Sequence, residues 1–336
     1  MEKKEQLYVL SFIFIIIIAT TSFIALNNIL LIKENKKNIT SETSPQITTN
    51  AENFNLQFNG TRAFSYLKDQ VAIGFRPPNS TGIVKTRALI VQQLLKFNWT
   101  VEFNNFTYKG IMSSNILAFP ENSARTNITL FGAHYDTRWF ADDPSSANTS
   151  APVLGANDGA SGVGVLMEFA QIFANRTDIA LMFIDAEDQG DINGWIYCYG
   201  TYQFVDSGVL GKFFPNGKSD IKAFILLDMI GDWNLNLKKE FFSNQTINDQ
   251  IWFAASILHY STIFINESGY RIEDDHIPFR NIGVPAVDLI DFDYVDQYGN
   301  NLHHTTRDTL NYVSAMSLWI VGQTIEYWLR TSSQVF

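Results

Sequence analysis

The chain has 336 residues, 46% of them hydrophobic, and a formal net charge of -10 at pH 7. That length and apolar content suffice for one large core and do not force two catalytic domains. An acidic chain without any Lys/Arg-rich run excludes a nucleic-acid-binding role, which needs a basic face to replace phosphate counterions.

In chain order, a short tail at residues 1–6 leads into Leu7–Ile32, 26 residues without a charge and dominated by Ile, Leu and Phe. As a helix rising about 1.5 Å per residue this stretch reaches roughly 39 Å, enough to cross a hydrocarbon core of about 30 Å with some tilt. A cleaved signal peptide is the rival, but the apolar part is long and no clear Ala-x-Ala site follows, so a membrane anchor is expected at 7–32. Lysines flank both ends and leave orientation open. Asn-x-Ser/Thr sequons at Asn38, Asn59, Asn79, Asn98, Asn105, Asn127, Asn148, Asn175, Asn244 and Asn266 point to a glycosylated domain on the extracytoplasmic side. Residues 33–53 are polar, rich in Thr, Ser, Asn and Lys, and read as a flexible stalk. The folded domain is expected over 54–336.

Asn55–Asn98 holds two expected helices, the second over Val84–Phe97, separated by the breaker Arg76-Pro77-Pro78-Asn79. Short apolar runs then alternate with helical ones, the pattern of a sheet covered by helices. Strands are expected at Asn127–Ala133, Ile179–Ile184, Ile221–Leu227 and Val284–Ile290. Helices are expected at Gly162–Phe173, Asn248–His259 and Leu310–Leu329. The lone Cys198 has no partner for an internal disulfide and reads as a buried apolar residue.

Polar residues cluster where these strands end. His134 and Asp136 close the first, Glu187 and Asp188 follow the second, Asp228 ends the third, and His304 follows the fourth. Asp158 sits in a Gly-rich turn opening straight into an apolar helix, so its oxygens are aimed outward from a rigid base. The phosphate-loop alternative fails because no Gly-Lys-Ser/Thr follows. In an open α/β sheet the carboxyl ends of the strands face the ligand crevice. Each residue alone has a bland role as a cap, turn or solvated loop. Together they form an oxygen and nitrogen donor set suited to zinc, without sulfur, as in catalytic rather than structural sites. Within the doublet, Asp188 can face a metal while Glu187 moves protons, because successive side chains leaving a strand diverge.

The runs Gly132-Ala-His-Tyr-Asp136, Gly155-Ala-Asn-Asp-Gly-Ala-Ser-Gly162, Asp185-Ala-Glu-Asp-Gln-Gly190, Leu227-Asp-Met-Ile-Gly231, Asp274-Asp-His-Ile-Pro-Phe279 and His304-Thr-Thr-Arg-Asp-Thr309 resemble the zinc-dependent M28 peptidase family. Within it they look most like the glutaminyl-peptide cyclotransferases. The resemblance spans about Phe54–Leu329 and implies a three-layer αβα sandwich around a central mixed, mostly parallel sheet. It implies one zinc on Asp158, Asp188 and His304, with Glu187 as proton shuttle and Asp228 and Asp274 as its acidic partners. Peptides beginning with Gln are the implied substrates, and Trp195, His303 and Asp275 the implied substrate contacts. A two-metal aminopeptidase of the same family would use Asp158 as a bridge and place His134 and Asp228 on the second ion. The ligand inventory leaves both activities open, and a non-catalytic surface protein of the same fold is a third, more distant alternative. Two positions depart from animal cyclases: His303 replaces a pocket Trp, and Asp188 is one methylene shorter than their Glu. His276 is expected to be structural, and Trp139 and Tyr294 carry no assigned role.

Overall fold

The computed structural model describes residues 55–332. The expected anchor at 7–32 and stalk at 33–53 lie outside them. Among the described residues no helix is long and apolar enough to cross a membrane. Even the longest, the 18-residue Ala315–Ser332, carries Glu326 and Arg330 in its last turns. The single-pass, extracytoplasmic placement expected from the sequence is therefore withdrawn.

The chain opens with α1 (Gly60–Ile73) and α2 (Thr81–Lys96). Both start on side-chain caps: Asn59 accepts the Arg62 N–H at 2.9 Å and Ser80 the Ile83 N–H at 3.0 Å, satisfying amides that the first turn leaves unpaired. The Ser80 cap explains why α2 begins before the expected Val84. A hairpin follows, β1 (Trp99–Tyr108) and β2 (Ile111–Pro120), then β3 (Ile128–His134), α3 (Ala160–Ile172) and β4 (Ile179–Ile184). Next come α4 (Tyr199–Phe204), α5 (Ser207–Leu210), β5 (Ile221–Asp228), β6 (Leu237–Lys239), α6 (Gln245–Ile257) and β7 (Phe264–Ser268). The chain continues with α7 (His276–Asn281), β8 (Ala286–Ile290) and α8 (Ala315–Ser332). The single helix expected over Leu310–Leu329 is divided into a 3-10 turn at Leu310–Tyr312 and α8, with Val313 extended between them.

Six strands form one sheet in the order β1-β2-β4-β3-β5-β8. β1, β2 and β4 pair antiparallel, whereas β4, β3, β5 and β8 are mutually parallel. A separate parallel pair joins β6 and β7. Side-chain alternation along the strands builds two apolar layers. In β4, Ile179, Leu181 and Phe183 enter one cluster, with Leu67 of α1, Ile90 of α2, Val163 of α3, Ile251 of α6 and Val321 of α8. Ala180, Met182 and Ile184 enter the other, with Phe204 of α4, Leu210 of α5 and Phe279 of α7. The sheet is thus covered on both faces, and each fully buried Phe or Leu contributes on the order of 2 kcal/mol. Gly132 in β3 is required by this packing, because a Cβ there would collide with the Phe224 ring.

From β3 the chain passes through α3 to β4 on one side, then crosses to β5 on the other. The order reverses around β3, so the crevice at its carboxyl end is a topological switch point, where open α/β sheets bind their ligands.

Candidate functional site

His134 is the last residue of β3 and pairs in register with Ile184 at the end of β4. Glu187 and Asp188 leave β4 just beyond, and Asp228 ends β5. Asp158 enters from the loop that opens α3, whose N-cap, Gly159, has no room for a side chain: a Cβ would strike the His134 imidazole and carbonyl. The peptide bond between Asp158 and Gly159 is cis.

These groups meet. His134 Nε2 lies 2.9 Å from Asp158 Oδ1 and 3.5 Å from Asp228 Oδ1. His304 Nε2 lies 2.9 Å from Asp188 Oδ1 and 3.7 Å from Asp158 Oδ2, and His303 Nε2 is 3.5 Å from the same Asp158 oxygen. Ligand atoms of His134, Asp158 and Asp228 all fall within 4.8 Å of one another, as do those of Asp158, His303 and His304. Asp158 is therefore shared between two potential coordination sets. His134 Nδ1 and Nε2, Asp158 Oδ2, Asp188 Oδ2 and Asp228 Oδ1 are buried without an aligned hydrogen-bond partner. Buried orphan acceptors of this kind are costly unless something positive satisfies them, and the carboxylate and imidazole donors suit zinc.

Other residues hold this set in place. Asp136, one of the polar strand-end residues, lies 3.6 Å from His134 Nδ1 and binds the backbone of the acidic doublet. It accepts the Glu187 N–H at 3.2 Å, the Asp188 N–H at 3.3 Å and the Gln189 amide at 3.0 Å. Asp308 accepts the Asn157 N–H at 2.8 Å, the Asp158 N–H at 3.2 Å and the Tyr294 hydroxyl at 2.8 Å, tying the Asp158 loop to the segment that carries His304. Arg76, which the sequence presents only as part of a breaker, is fully buried and donates to the carbonyls of Leu154 and Gly155 at 2.9 and 2.7 Å. Arg138 donates to the Asp188 and Gly190 carbonyls, both at 2.9 Å. Ala186, Met229 and His304 all adopt left-handed backbone, at φ 63°, 44° and 57°. Non-glycine residues rarely do so.

Burial moves the titrating groups in both directions, and it raises the Asp188 carboxyl well above the ordinary value. Burial alone would raise Asp158, but the adjacent His134 imidazole holds its carboxyl below the usual range. Burial lowers His304 to about 4, leaving its imidazole neutral, the form that binds metal. Glu187 goes the other way: burial raises its carboxyl well above the ordinary value, and Asp188, Asp275 and Asp228 add to the rise. Asp274 is likewise raised, by burial and then by Asp288. A carboxyl pushed toward neutrality is what a general acid and base requires.

The cluster lines one end of a 470 Å³ cavity whose apolar walls include Trp195, Met229, Ile272 and Phe292. Trp195 packs edge-on against Tyr108 and Trp139, at 4.9 and 5.0 Å between ring centroids. His303 also lines the cavity, between Phe292 and His304. Asp275 does not. It is fully buried at the entrance to α7, behind Asp274, which corrects its placement as a substrate contact. Burial raises the Asp275 carboxyl to about 7, so its influence reaches Glu187 as charge instead of contact. Tyr294 is an internal hydroxyl on Asp308, and Trp139 packs behind Trp195. Cys198 is buried, with Sγ 3.5 Å from Glu187 Oε1.

The mostly parallel sheet gathers acidic and imidazole side chains at its switch point, and residues 115–329 match the model of Peptidase family M28. The chain belongs to that family. Among curated relatives, a glutaminyl-peptide cyclotransferase-like protein from Bos taurus is 26% identical over 287 residues, covering 72% of this chain and 71% of its own. Among solved structures, a glutaminyl cyclase from Bacteroides thetaiotaomicron bound to N-acetylhistamine superposes with a TM-score of 0.71 at 30% identity, over 81% of this chain and 97% of its own. A protein described as a leucine aminopeptidase precursor from the same organism is equally similar in identity, at 30%, with a TM-score of 0.70 over 81% of this chain and 96% of its own.

Proposed function

We propose that the protein is a zinc-dependent glutaminyl-peptide cyclotransferase, converting the N-terminal Gln of a peptide to pyroglutamate with release of ammonia, and that residues 54–336 are its catalytic domain. The observation that carries this proposal is the placement of Glu187. It is a buried carboxyl with raised proton affinity, on the cavity wall, next in sequence to a carboxylate in the ligand cluster. The cyclotransferase and glutaminyl cyclase relatives support it.

Asp158, Asp188 and His304 would hold one zinc. When bound, the ion supplies Lewis-acid polarisation of the substrate's γ-carbonyl oxygen. The chain's own residues do the rest. The cavity folds the substrate so that its α-amine faces its own γ-carboxamide carbon, which makes the attack effectively unimolecular. Glu187 accepts a proton from the attacking amine and delivers one to the departing nitrogen; a C–N bond forms, a C–N bond breaks, and no water is consumed. Asp274 and Asp228 stand beside Glu187, and repulsion among neighbouring carboxyls favours its holding that proton between the two steps. Trp195 and His303 form the wall against which the glutaminyl side chain is held.

One observation favours a second activity. The set His134, Asp158 and Asp228 is as compact as the set containing His304, which suits a two-metal aminopeptidase. The test is to assay the zinc-loaded protein on a Gln-initiated peptide for pyroglutamate and for released amino acids, with metal analysis alongside. Pyroglutamate with one zinc per chain is the expected result. Amino-acid release with two metals would overturn it in favour of the peptidase, and metal binding with neither product would leave a non-catalytic member of the family.

A further inference from the structure

Asp274 is carried by the loop between β7 and α7, and its carboxyl oxygen stands within 4.8 Å of that of Glu187. Both flanks of this loop end on one carboxylate that lies outside the catalytic set. Glu240, 3% exposed, accepts the Ile272 N–H through Oε1 at 3.2 Å, two residues before Asp274. Its Oε2 lies 3.1 Å from Nε2 of the fully buried His276, two residues after Asp274. Ser243 fixes Glu240 in turn, with its N–H at 2.7 Å and its hydroxyl at 2.9 Å from the same Oε2. The Ser243 oxygen also accepts the Asp288 N–H from β8 at 3.0 Å. Burial alone would raise Glu240, but the His276 imidazole and backbone N–H groups hold its carboxyl below the ordinary value. His276 thus stands between two carboxylates, with Nε2 facing Glu240 and Nδ1 3.7 Å from Asp288 Oδ2.

We propose that Glu240 is a positioning residue for the cyclisation step: it grips the Asp274 loop on both sides and thereby holds the Asp274 carboxyl opposite Glu187. This rests on the role given to Asp274 above. Two points make the grip specific. Each Glu240 oxygen accepts a backbone N–H, from Ile272 and from Ser243, so Gln in its place turns an amide N–H toward another N–H and must shift the loop or the turn that grips it. Ile272 is also cavity wall, so the same carboxylate sets the distance between wall and acid.

The test is a double-mutant cycle on the zinc-loaded protein, with zinc content and thermal melting as controls for folding. Glu240→Gln should retain its zinc and lower kcat about 10- to 100-fold, the loss that a displacement of about 1 Å causes at a reacting centre. In an Asp274→Asn background the same change should cost almost nothing, because the group it positions is already gone. If the two losses multiply, or if Glu240→Gln turns over at the original rate per zinc, Glu240 is not positioning Asp274. A fully active Asp274→Asn protein would instead overturn the role of Asp274 itself, and the two failures are distinguishable. Should Glu240→Gln fail to fold, Ser243→Ala removes the hydroxyl donor to Glu240 together with the acceptor of the Asp288 N–H. It should lower kcat by about 3-fold through the weakened hold on Glu240, with the same loss of effect beside Asp274→Asn; multiplying losses there would again overturn the proposal.

Discussion

The four parallel strands carry two unlike regions within a few residues of each other. Their lower halves, such as Leu130 and Phe131 in β3 or Leu226 in β5, are fully buried and apolar. Their carboxyl ends hold His134, Glu187, Asp188 and Asp228, with left-handed backbone at the neighbouring Ala186 and Met229 and with buried polar atoms lacking aligned partners. The apolar layers supply the stability that lets the rim keep groups in a costly arrangement. Changes in one region should therefore move folding, and changes in the other should move chemistry.

The largest expected effect lies at the rim. Glu187→Gln should lower turnover about 10²- to 10⁴-fold while zinc content and melting temperature hold, as read by single-turnover assay and metal analysis. An active Glu187→Gln protein would defeat the proton-transfer assignment. The converse change is Phe131→Ala in the core. It should cost about 3–5 kcal/mol in urea unfolding and leave kcat per folded molecule intact; a matching loss of kcat would mean that the two regions are not separable. Asp308→Asn tests their junction. It loses an acceptor for the Asn157 or Asp158 N–H, and zinc affinity measured by chelator competition should fall about 10- to 100-fold.

The smallest effect is a displacement in pH. Glu187 works as a base when ionised, and its raised proton affinity moves the rise of kcat/KM to higher pH than an ordinary carboxylate would. Asp275 contributes to that rise through its charge. Asp275→Asn should therefore shift the acid limb of the kcat/KM profile toward lower pH without altering substrate contacts. An unmoved limb would detach Asp275 from the site.

The parallel strands were legible because doubly covered strands read as continuous apolar runs; β4 has the expected bounds, Ile179–Ile184. The strand-end residues were legible as a set for the same reason, since a polar group closing an apolar run stands out. The β1–β2 hairpin was not, because in the edge strand β1 the apolar Phe103 is exposed and the polar Asn104 is buried, against the usual alternation. Nor were the roles of Asp136, Asp308 and Arg76, which depend on backbone partners brought from elsewhere in the chain. The left-handed turns at Ala186, Met229 and His304 gave no warning, because none of the three is the glycine that marks such a turn. Asp275 and Asp274 are adjacent and chemically identical in the sequence. Only the entry into α7 puts one on the cavity and the other behind it.

The bond between Asp308 and the backbone of Asp158 joins segments 150 positions apart. During synthesis the sheet from β1 to β8 can be complete while that bond, and His304 beside it, are still missing. The nascent sheet therefore lacks its full carboxylate and imidazole cluster until the closing segment arrives, and a chain interrupted before that point would also lack α8, which covers one face of the sheet.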